Sequence, residues 1–480
     1  MPDLSRRRRL AVLATCCLAL FVVGLDNTIV NVALPSLGAE LDAPLSGLQW
    51  TVDAYLVVLA ALLILSGSMG DRFGRRRVFQ TGLVLFTIGS LLCSLAPSSG
   101  WLIAFRMLQA IGGSMLTPVA MSIITNTFTD TRERAQAIGV WGAVSGISMA
   151  LGPLVGGLLV DTVGWRSIFW INVPVGIAAA VLTTLIVPES KAAVARRFDP
   201  VGQVLVVLTL AAATYGLIEG PAKGWGSPEI VGLLGLAVVA LGALIAYEPH
   251  REQPLIDVRL FRSVPFAGAS ATAVLHFAAL AALLFLNTLY LQQNRGYSAL
   301  AAGALTLPLA VAAVVCSPLS GRLVGRIGPR VPLILAGSAV AVSALVLSFL
   351  SGSTPLAVLG VAYAVFGIGH GLVNTPITNT AVSSMPKAQA GVASATTSAA
   401  RQIGQVLGVA VAGTLTAGVA PGDAGFPAAT HAAWWLVGGI GVAVIGLGVL
   451  TTTRWAERTA SRAADAVGTS SPPRTPAHAH

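Results

Sequence analysis

Long apolar stretches follow one another along almost the whole chain, and the polar residues collect in the short gaps between them. A helix that crosses the hydrocarbon core of a membrane needs about 20 mostly apolar residues. Fourteen stretches meet that need: residues 11–35, 48–68, 78–96, 101–127, 137–160, 166–187, 201–219, 229–247, 264–292, 299–319, 332–350, 355–378, 389–418 and 431–452. Turn-forming residues punctuate them, as at Pro97-Ser98-Ser99-Gly100, Gly220-Pro221, Ser353-Thr354-Pro355 and Pro421-Gly422. The pattern predicts an all-α polytopic membrane protein of fourteen transmembrane helices.

Composition agrees with the pattern. Of 480 residues, 55% are hydrophobic and 10% charged, whereas a soluble domain carries about 25% charged residues. That excludes a soluble enzyme, a nucleic-acid binder and a disordered chain. The net charge of +10 is informative through its placement. Lysines and arginines gather on the cytoplasmic side of membrane proteins. With the N-terminus inside, 24 of the 29 basic residues fall in inner segments and three (Arg166, Lys223, Arg295) in outer loops, while Arg106 and Arg401 lie within spans. The alternation never breaks, so both termini are expected in the cytoplasm. Arg6–Arg9 followed by an apolar run looks like a signal peptide, but Asp26 interrupts the run and many spans follow, so the segment reads as a retained first helix. Cys16, Cys17, Cys93 and Cys316 sit in apolar runs without metal-ligand spacing.

Two inner loops repeat each other. Ser66-Gly67-Ser68-Met69-Gly70-Asp71-Arg72-Phe73-Gly74-Arg75-Arg76 aligns with Ser320–Arg330 at an offset of 254, and Gly152, Pro153 and Gly156 have a weaker echo at Gly404, Gln405 and Gly408. Parallel six-helix repeats are a transporter plan. The expected domains are a cytoplasmic segment 1–10, an N-terminal six-helix bundle 11–187, two extra helices with their loops 188–263, a C-terminal six-helix bundle 264–452, and a disordered cytoplasmic tail 453–480.

Ionisable residues inside spans are costly and mark function. Asp26, in Leu25–Pro35 together with Asn31, is a candidate for proton coupling or cation binding. Asp53 lies toward the outer end of the second span, either as an interfacial carboxylate or as an outer-vestibule group. Arg106 keeps its charge at any relevant pH and needs a partner; Gln109 follows one turn later. Asp26 and Asp53 balance Arg106 and Arg401. In the second loop, Asp71 among Arg72, Arg75, Arg76 and Arg77, with Gly67 and Gly74 for tight turning, suggests an ion-pair latch. Gly152, Pro153, Gly156 and Gly157 suit close helix packing. His276, Asn287, Asn374 and Arg401 are candidate cavity-lining residues, His276 being either that or a satisfied core histidine. There is no nucleotide-binding loop, catalytic triad motif or metal spacing, so energy must come from an ion gradient unless a partner subunit supplies it, and no cofactor is expected.

These motifs resemble the major facilitator superfamily, and more narrowly its fourteen-helix drug:proton antiporters of bacteria. The resemblance rests on Leu25–Pro35, Gly67–Arg77, Arg106 with Gln109 and Gly112, Gly152-Pro153 with Gly156-Gly157, and Leu291-Gln292-Gln293 with Gly296-Tyr297-Ser298 and Leu307-Pro308. Ala110 stands where the family usually has Gly. The resemblance implies coupling by Asp26, proton transfer assisted by Arg106, and an inner gate locked by Asp71, with Arg75 reaching Asp130. It implies export of lipophilic, often cationic, drugs or antibiotics against protons from a bacterial plasma membrane. The partners expected are a small-molecule substrate, protons and the lipid bilayer, with no nucleic acid, and a monomer can suffice. The rival readings are a dedicated exporter of one metabolite, a proton-coupled importer, which the Gly152-Pro153 motif disfavours, and a polytopic enzyme or receptor.

Overall fold

The computed structural model describes residues 5–192, 198–251, 254–385 and 390–468. The N-terminal part comprises α1 (Arg6–Glu40), α2 (Leu45–Phe73), α3 (Arg75–Ser94), α4 (Ser99–Thr127), α5 (Thr131–Thr162), α6 (Ser167–Trp170) and α7 (Asn172–Ile186). Next come α8 (Pro200–Lys223) and α9 (Pro228–Tyr247). The C-terminal part comprises α10 (Val264–Leu289), α11 (Ala299–Leu305), α12 (Leu307–Ile327), α13 (Arg330–Leu347), α14 (Leu356–Ser383), α15 (Ala390–Thr416) and α16 (Phe426–Leu450), and α17 (Arg454–Gly468) closes the described chain.

Among the described residues, thirteen helices are long and apolar enough to cross a membrane. Two of them are interrupted. Ile171 keeps helical dihedrals between α6 and α7, so these run on as one span. At Thr306 the chain tightens before Leu307-Pro308, and α11 and α12 together make another. The predicted span 389–418 coincides with α15, which lies outside the set of thirteen. Its Arg401, Gln402, Gln405 and Ser/Thr-rich first half dilute its apolar content. Neighbouring helices cover it: α15 packs against α10, α2, α8, α14 and α16.

Each half packs mainly on itself. In the first, α1 lies against α5 and α7, α4 against α2 and α3, and α3 against α7; in the second, α10 lies against α15 and α14, α12 against α14, and α13 against α14 and α16. The seam between them is formed by α2 with α15, α5 with α11 and α12, and α1 with α10. The two extra helices pack on each other, and α8 alone of them reaches both α2 and α15. Glu219 Oε1 accepts a hydrogen bond from Trp50 Nε1 at 2.8 Å, fastening α8 to α2.

The tail expected to be disordered from residue 453 is helical over Arg454–Gly468. Ala456 and Ala463 turn inward against α10 and the turn Val258–Arg262, and Thr459 Oγ1 accepts the Val264 N–H at 3.0 Å. Its small apolar face is too short to register as a hydrophobic run, so tertiary docking decides its structure. Residues 469–480 lie outside the described chain.

Candidate functional site

The site is built around Asp26, midway along α1 and fully buried. A carboxylate there must find donors inside the protein, and three side chains supply them. Arg106 Nη1 donates to Oδ2 at 2.6 Å, Gln109 Nε2 donates to Oδ1 at 2.9 Å, and Asn172 Nδ2 donates to Oδ1 at 2.9 Å. Arg106 and Gln109 are one turn apart on α4, and the same Arg106 Nη1 also donates to Gln109 Oε1 at 2.7 Å. Arg106 Nε donates to the Thr51 carbonyl at 3.3 Å, and its guanidinium lies 4.0 Å from the centre of the Tyr55 ring. Asn172 is held in turn by Ser90 Oγ at 3.1 Å. Asp26, Arg106 and Gln109 are thus brought together as the sequence suggests, within a network drawn from five helices of one half. Taking a proton at Asp26 Oδ2 would neutralise the carboxylate and weaken its hold on Arg106, while Oδ1 could still accept from Gln109 and Asn172.

The remaining sequence candidates fall elsewhere. Asn31 donates to the Asn27 carbonyl of its own helix at 3.3 Å. Asp53 is fully buried, and neither carboxylate oxygen has a hydrogen-bond partner, which removes the reading of an interfacial carboxylate. Arg401 does not balance Asp53; it donates to Thr378 Oγ1 at 2.7 Å. Asn287 accepts from the Tyr363 hydroxyl, and Asn374 Nδ2 donates to the His370 carbonyl at 3.4 Å. His276 is no isolated core histidine: its Nε2 lies 3.0 Å from His370 Nδ1.

The arginine-rich loop forms a narrower latch than expected. Gly74 turns the chain between α2 and α3 at φ +110°, a conformation that side-chain-bearing residues rarely adopt. Asp71 pairs with Arg75 at 2.7 Å, not with all four arginines, and Arg72 lies over the Phe198 ring at 4.9 Å. The segment after α7 clasps this turn: Glu189 Oε1 accepts the Arg76 N–H at 3.1 Å, and the Ser190 carbonyl accepts the Arg75 N–H at 2.9 Å. Arg75 does not meet Asp130. That carboxylate caps α5 instead, accepting the N–H groups of Arg132 and Glu133 at 3.0 and 2.9 Å.

The Gly152–Gly157 stretch lies on the seam. A Cβ on Gly152 would stand 1.9 Å from Thr28 Oγ1, and one on Gly156 2.6 Å from Ile29 Cγ1, so α5 packs tightly on α1 just past Asp26. A Cβ on Gly157 would meet the Ala299 carbonyl and Leu300 Cα at 2.5 Å, and one on Gly303 the Pro153 carbonyl at 2.2 Å. One stretch of α5 therefore touches the ion-pair helix on one side and the opposite half on the other. A small cavity opens where they meet, lined by Thr28, Met149 and Pro153 from one half and by Leu280, Leu284 and Leu309 among others from the second.

The hydrogen bonds across the seam gather at one end. Among the described residues, every hydrogen bond between the halves lies toward the arginine-poor end. Gln49 Nε2 donates to the Val409 and Ala410 carbonyls at 3.3 and 3.1 Å, and Gln292 Nε2 donates to the Val32 carbonyl at 2.8 Å. Asp161 accepts the N–H groups of Ala299 and Leu300 at 3.1 and 2.9 Å, capping α11 from across the seam. Toward the arginine-rich end a Cβ on Gly139, Gly142, Gly146, Gly321 or Gly325 would meet nothing within 4 Å. A helix cap is worth about 1 kcal/mol, or roughly a fivefold change in a two-state balance. Asp161→Ala is expected to raise maleimide labelling of a cysteine at the buried seam position Ala302 about fivefold; unchanged labelling would show that the cap does not hold the seam.

Sequence reasoning missed Asn172, Ser90, Glu189, Asp161 and His370. Each acts on a partner at least 79 residues away or in another loop, and none stands in a motif-like spacing.

A polytopic helical bundle in two packed halves, with a buried ion pair beside the seam between them, has the architecture of a membrane transporter rather than an enzyme. The chain belongs to the Major Facilitator Superfamily, whose family model matches residues 16–409. It is 39% identical over 414 residues to Multidrug resistance protein Stp of Mycobacterium tuberculosis, covering 86% of this chain and 77% of that one. It is 36% identical over 413 residues to the Tetracenomycin C resistance and export protein of Streptomyces glaucescens, at the same coverages. The crystal structure of the POT family transporter PepTSo matches with a TM-score of 0.68 at 15% identity, covering 96% of this chain and 99% of that one, a likeness of fold alone.

Proposed function

We propose that the protein exports a lipophilic drug or antibiotic in exchange for protons, by alternating access, across a bacterial plasma membrane. The observation that carries this reading is the position of the Asp26–Arg106 pair directly behind the α1–α5 contact that also bears on the opposite half. In this reading α15 crosses the membrane with the other thirteen helices, the arginine-rich end faces the cytoplasm, and the conformation described here is open inward. Substrate enters the seam from the cytoplasm or inner leaflet, and the halves rock. Protons from outside reach Asp26, with Asp53 as a second carrier, and drive release and reset. The names of the relatives, a multidrug resistance protein and an antibiotic resistance and export protein, support export over uptake.

The energy suffices. One charge crossing 100 mV yields about 2.3 kcal/mol, and a tenfold concentration ratio costs about 1.4 kcal/mol. One proton can therefore hold a neutral substrate at roughly fortyfold on potential alone. In inverted vesicles with an acidic lumen, followed by a pH-sensitive dye, antibiotics added outside are expected to collapse the proton gradient. Collapse by several chemical classes would mark a multidrug pump and by one class a dedicated exporter; absence of any collapse with folded protein present would overturn the reading.

A further inference from the structure

The second half holds a cluster of nitrogen-bearing side chains that the Asp26 network does not use. His276 on α10 and His370 on α14 stack with ring centres 5.2 Å apart and share the 3.0 Å hydrogen bond already described. Both rings are buried, and His276 Nδ1 has no partner. Arg401 on α15 stands beside them, its guanidinium 5.7 Å from the centre of the Phe277 ring, and Phe277 in turn packs edge-on to His370 at 5.7 Å.

The two arginines within spans are held very differently. Arg106 meets a carboxylate, a side-chain amide, a carbonyl and an aromatic face. Arg401 bonds one threonine hydroxyl, its Nε is sealed off without a partner, and no carboxylate pairs with it among the described residues. From residue 264 to residue 450 the sequence holds a single acid, Asp423, in the loop before α16. Arg401 is half-buried, and a partly desolvated cation without a counter-ion gains most from an anion that arrives with the ligand. A guanidinium is suited to this task, since its planar fork matches carboxylate-like oxygens and stacks on aromatic rings.

The cluster also adjoins the transport route. His276, Leu280 and Leu284 are spaced four apart and share one face of α10, and Leu280 and Leu284 line the cavity at the seam. We propose that Arg401, with the His276–His370 pair, forms a recognition site for the anionic oxygen of a weakly acidic aromatic substrate, a class opposite in charge to the cations that the sequence led one to expect. The site rests on the export reading for its purpose. On the other side of the seam the Asp26 carboxylate is already paired with Arg106 and is not free to serve as a counter-ion. The imidazoles and Phe277 supply flat walls, and His276 Nδ1 offers a further polar contact.

Equilibrium binding by calorimetry, with purified protein in lipid nanodiscs and no gradient present, tests this apart from transport. The probes are 2-hydroxy-1,4-naphthoquinone, which is acidic, its methyl ether, which is not, and ethidium, a cation. The acidic quinone is expected to bind at least tenfold more tightly than its ether. Arg401→Gln should erase that preference, and thermal unfolding of the variant in the same nanodiscs checks that the fold survives. Arg401→Lys should retain part of the preference, and His276→Asn should reduce it several-fold. Equal binding of the two quinones, no binding of either, tighter binding of ethidium, or a preference that persists in Arg401→Gln would each overturn the site. Failure of the export reading would show separately, as absent proton movement in vesicles despite selective binding of the acid.

Discussion

Replacing Asp26 with Asn is expected to abolish drug-driven proton movement while the protein still folds and inserts. Asn has the same shape as Asp and can still accept from Gln109 and Asn172, the two neutral donors within 2.9 Å of Asp26 Oδ1. It cannot take or release a proton, so no step of the cycle can be tied to the gradient through this residue. Arg106 loses its counter-ion but keeps the Gln109 oxygen, the Thr51 carbonyl and the Tyr55 ring. Removing one partner of a buried ion pair outright costs about 3–5 kcal/mol, and the retained contacts should hold the loss to the lower end of that range or below it. Arg106→Ala should be the more damaging change to stability, because it leaves the buried carboxylate itself unpaired. The measurement is dye-reported proton flux in inverted vesicles, with thermal unfolding of both variants alongside. Full flux in Asp26→Asn would remove Asp26 from the coupling role.

The second large effect is expected at the seam. Gly303→Ala places a methyl group where the Pro153 carbonyl stands 2.2 Å away, and Gly157→Ala places one 2.5 Å from the Ala299 carbonyl. Both contacts are with backbone, which cannot swing aside as a side chain can. The nearest atoms to both added methyl groups belong to the opposite half, so the bundles should fold while this part of the seam is wedged open. Transport is expected to fall more than tenfold, with near-normal amounts of protein in the membrane. Gly142→Ala is the internal control: it lies on the same helix as Gly157 but faces open space, and Ala in place of a helical Gly is favourable by about 1 kcal/mol. Equal transport by Gly303→Ala and Gly142→Ala would show that tight closure of this seam is not part of the cycle.

The chain's own order of residues settles a good deal here. Partition between water and lipid acts on one segment at a time, so runs of about 20 apolar residues reveal the helices without knowledge of their neighbours. The interrupted spans around Ile171 and Thr306 are legible in the same way, since local irregularity leaves the apolar run intact. The cost of an ion in hydrocarbon likewise singles out Asp26 and Arg106 wherever they end up, and the small residues from Gly152 to Gly157 announce a close contact. What none of these signals carries is a partner. The bond from Asn172 to Asp26 spans 146 residues, that from Asp161 to the start of α11 spans 138, and the His276–His370 pair spans 94. Asp130 looks like a gate residue and becomes a helix cap, Arg75 finds Asp71 instead, and Arg401, counted against Asp53 by charge alone, meets Thr378. The docked helix Arg454–Gly468 and the gathering of hydrogen bonds at one end of the seam belong to the same group. Sequence therefore determined the apolar character of the long helices and the residues too costly to bury without a purpose. Only tertiary structure decided which of those residues meet, because hydrogen bonds and ion pairs depend on distances of a few ångströms between helices that packing, not local composition, brings together.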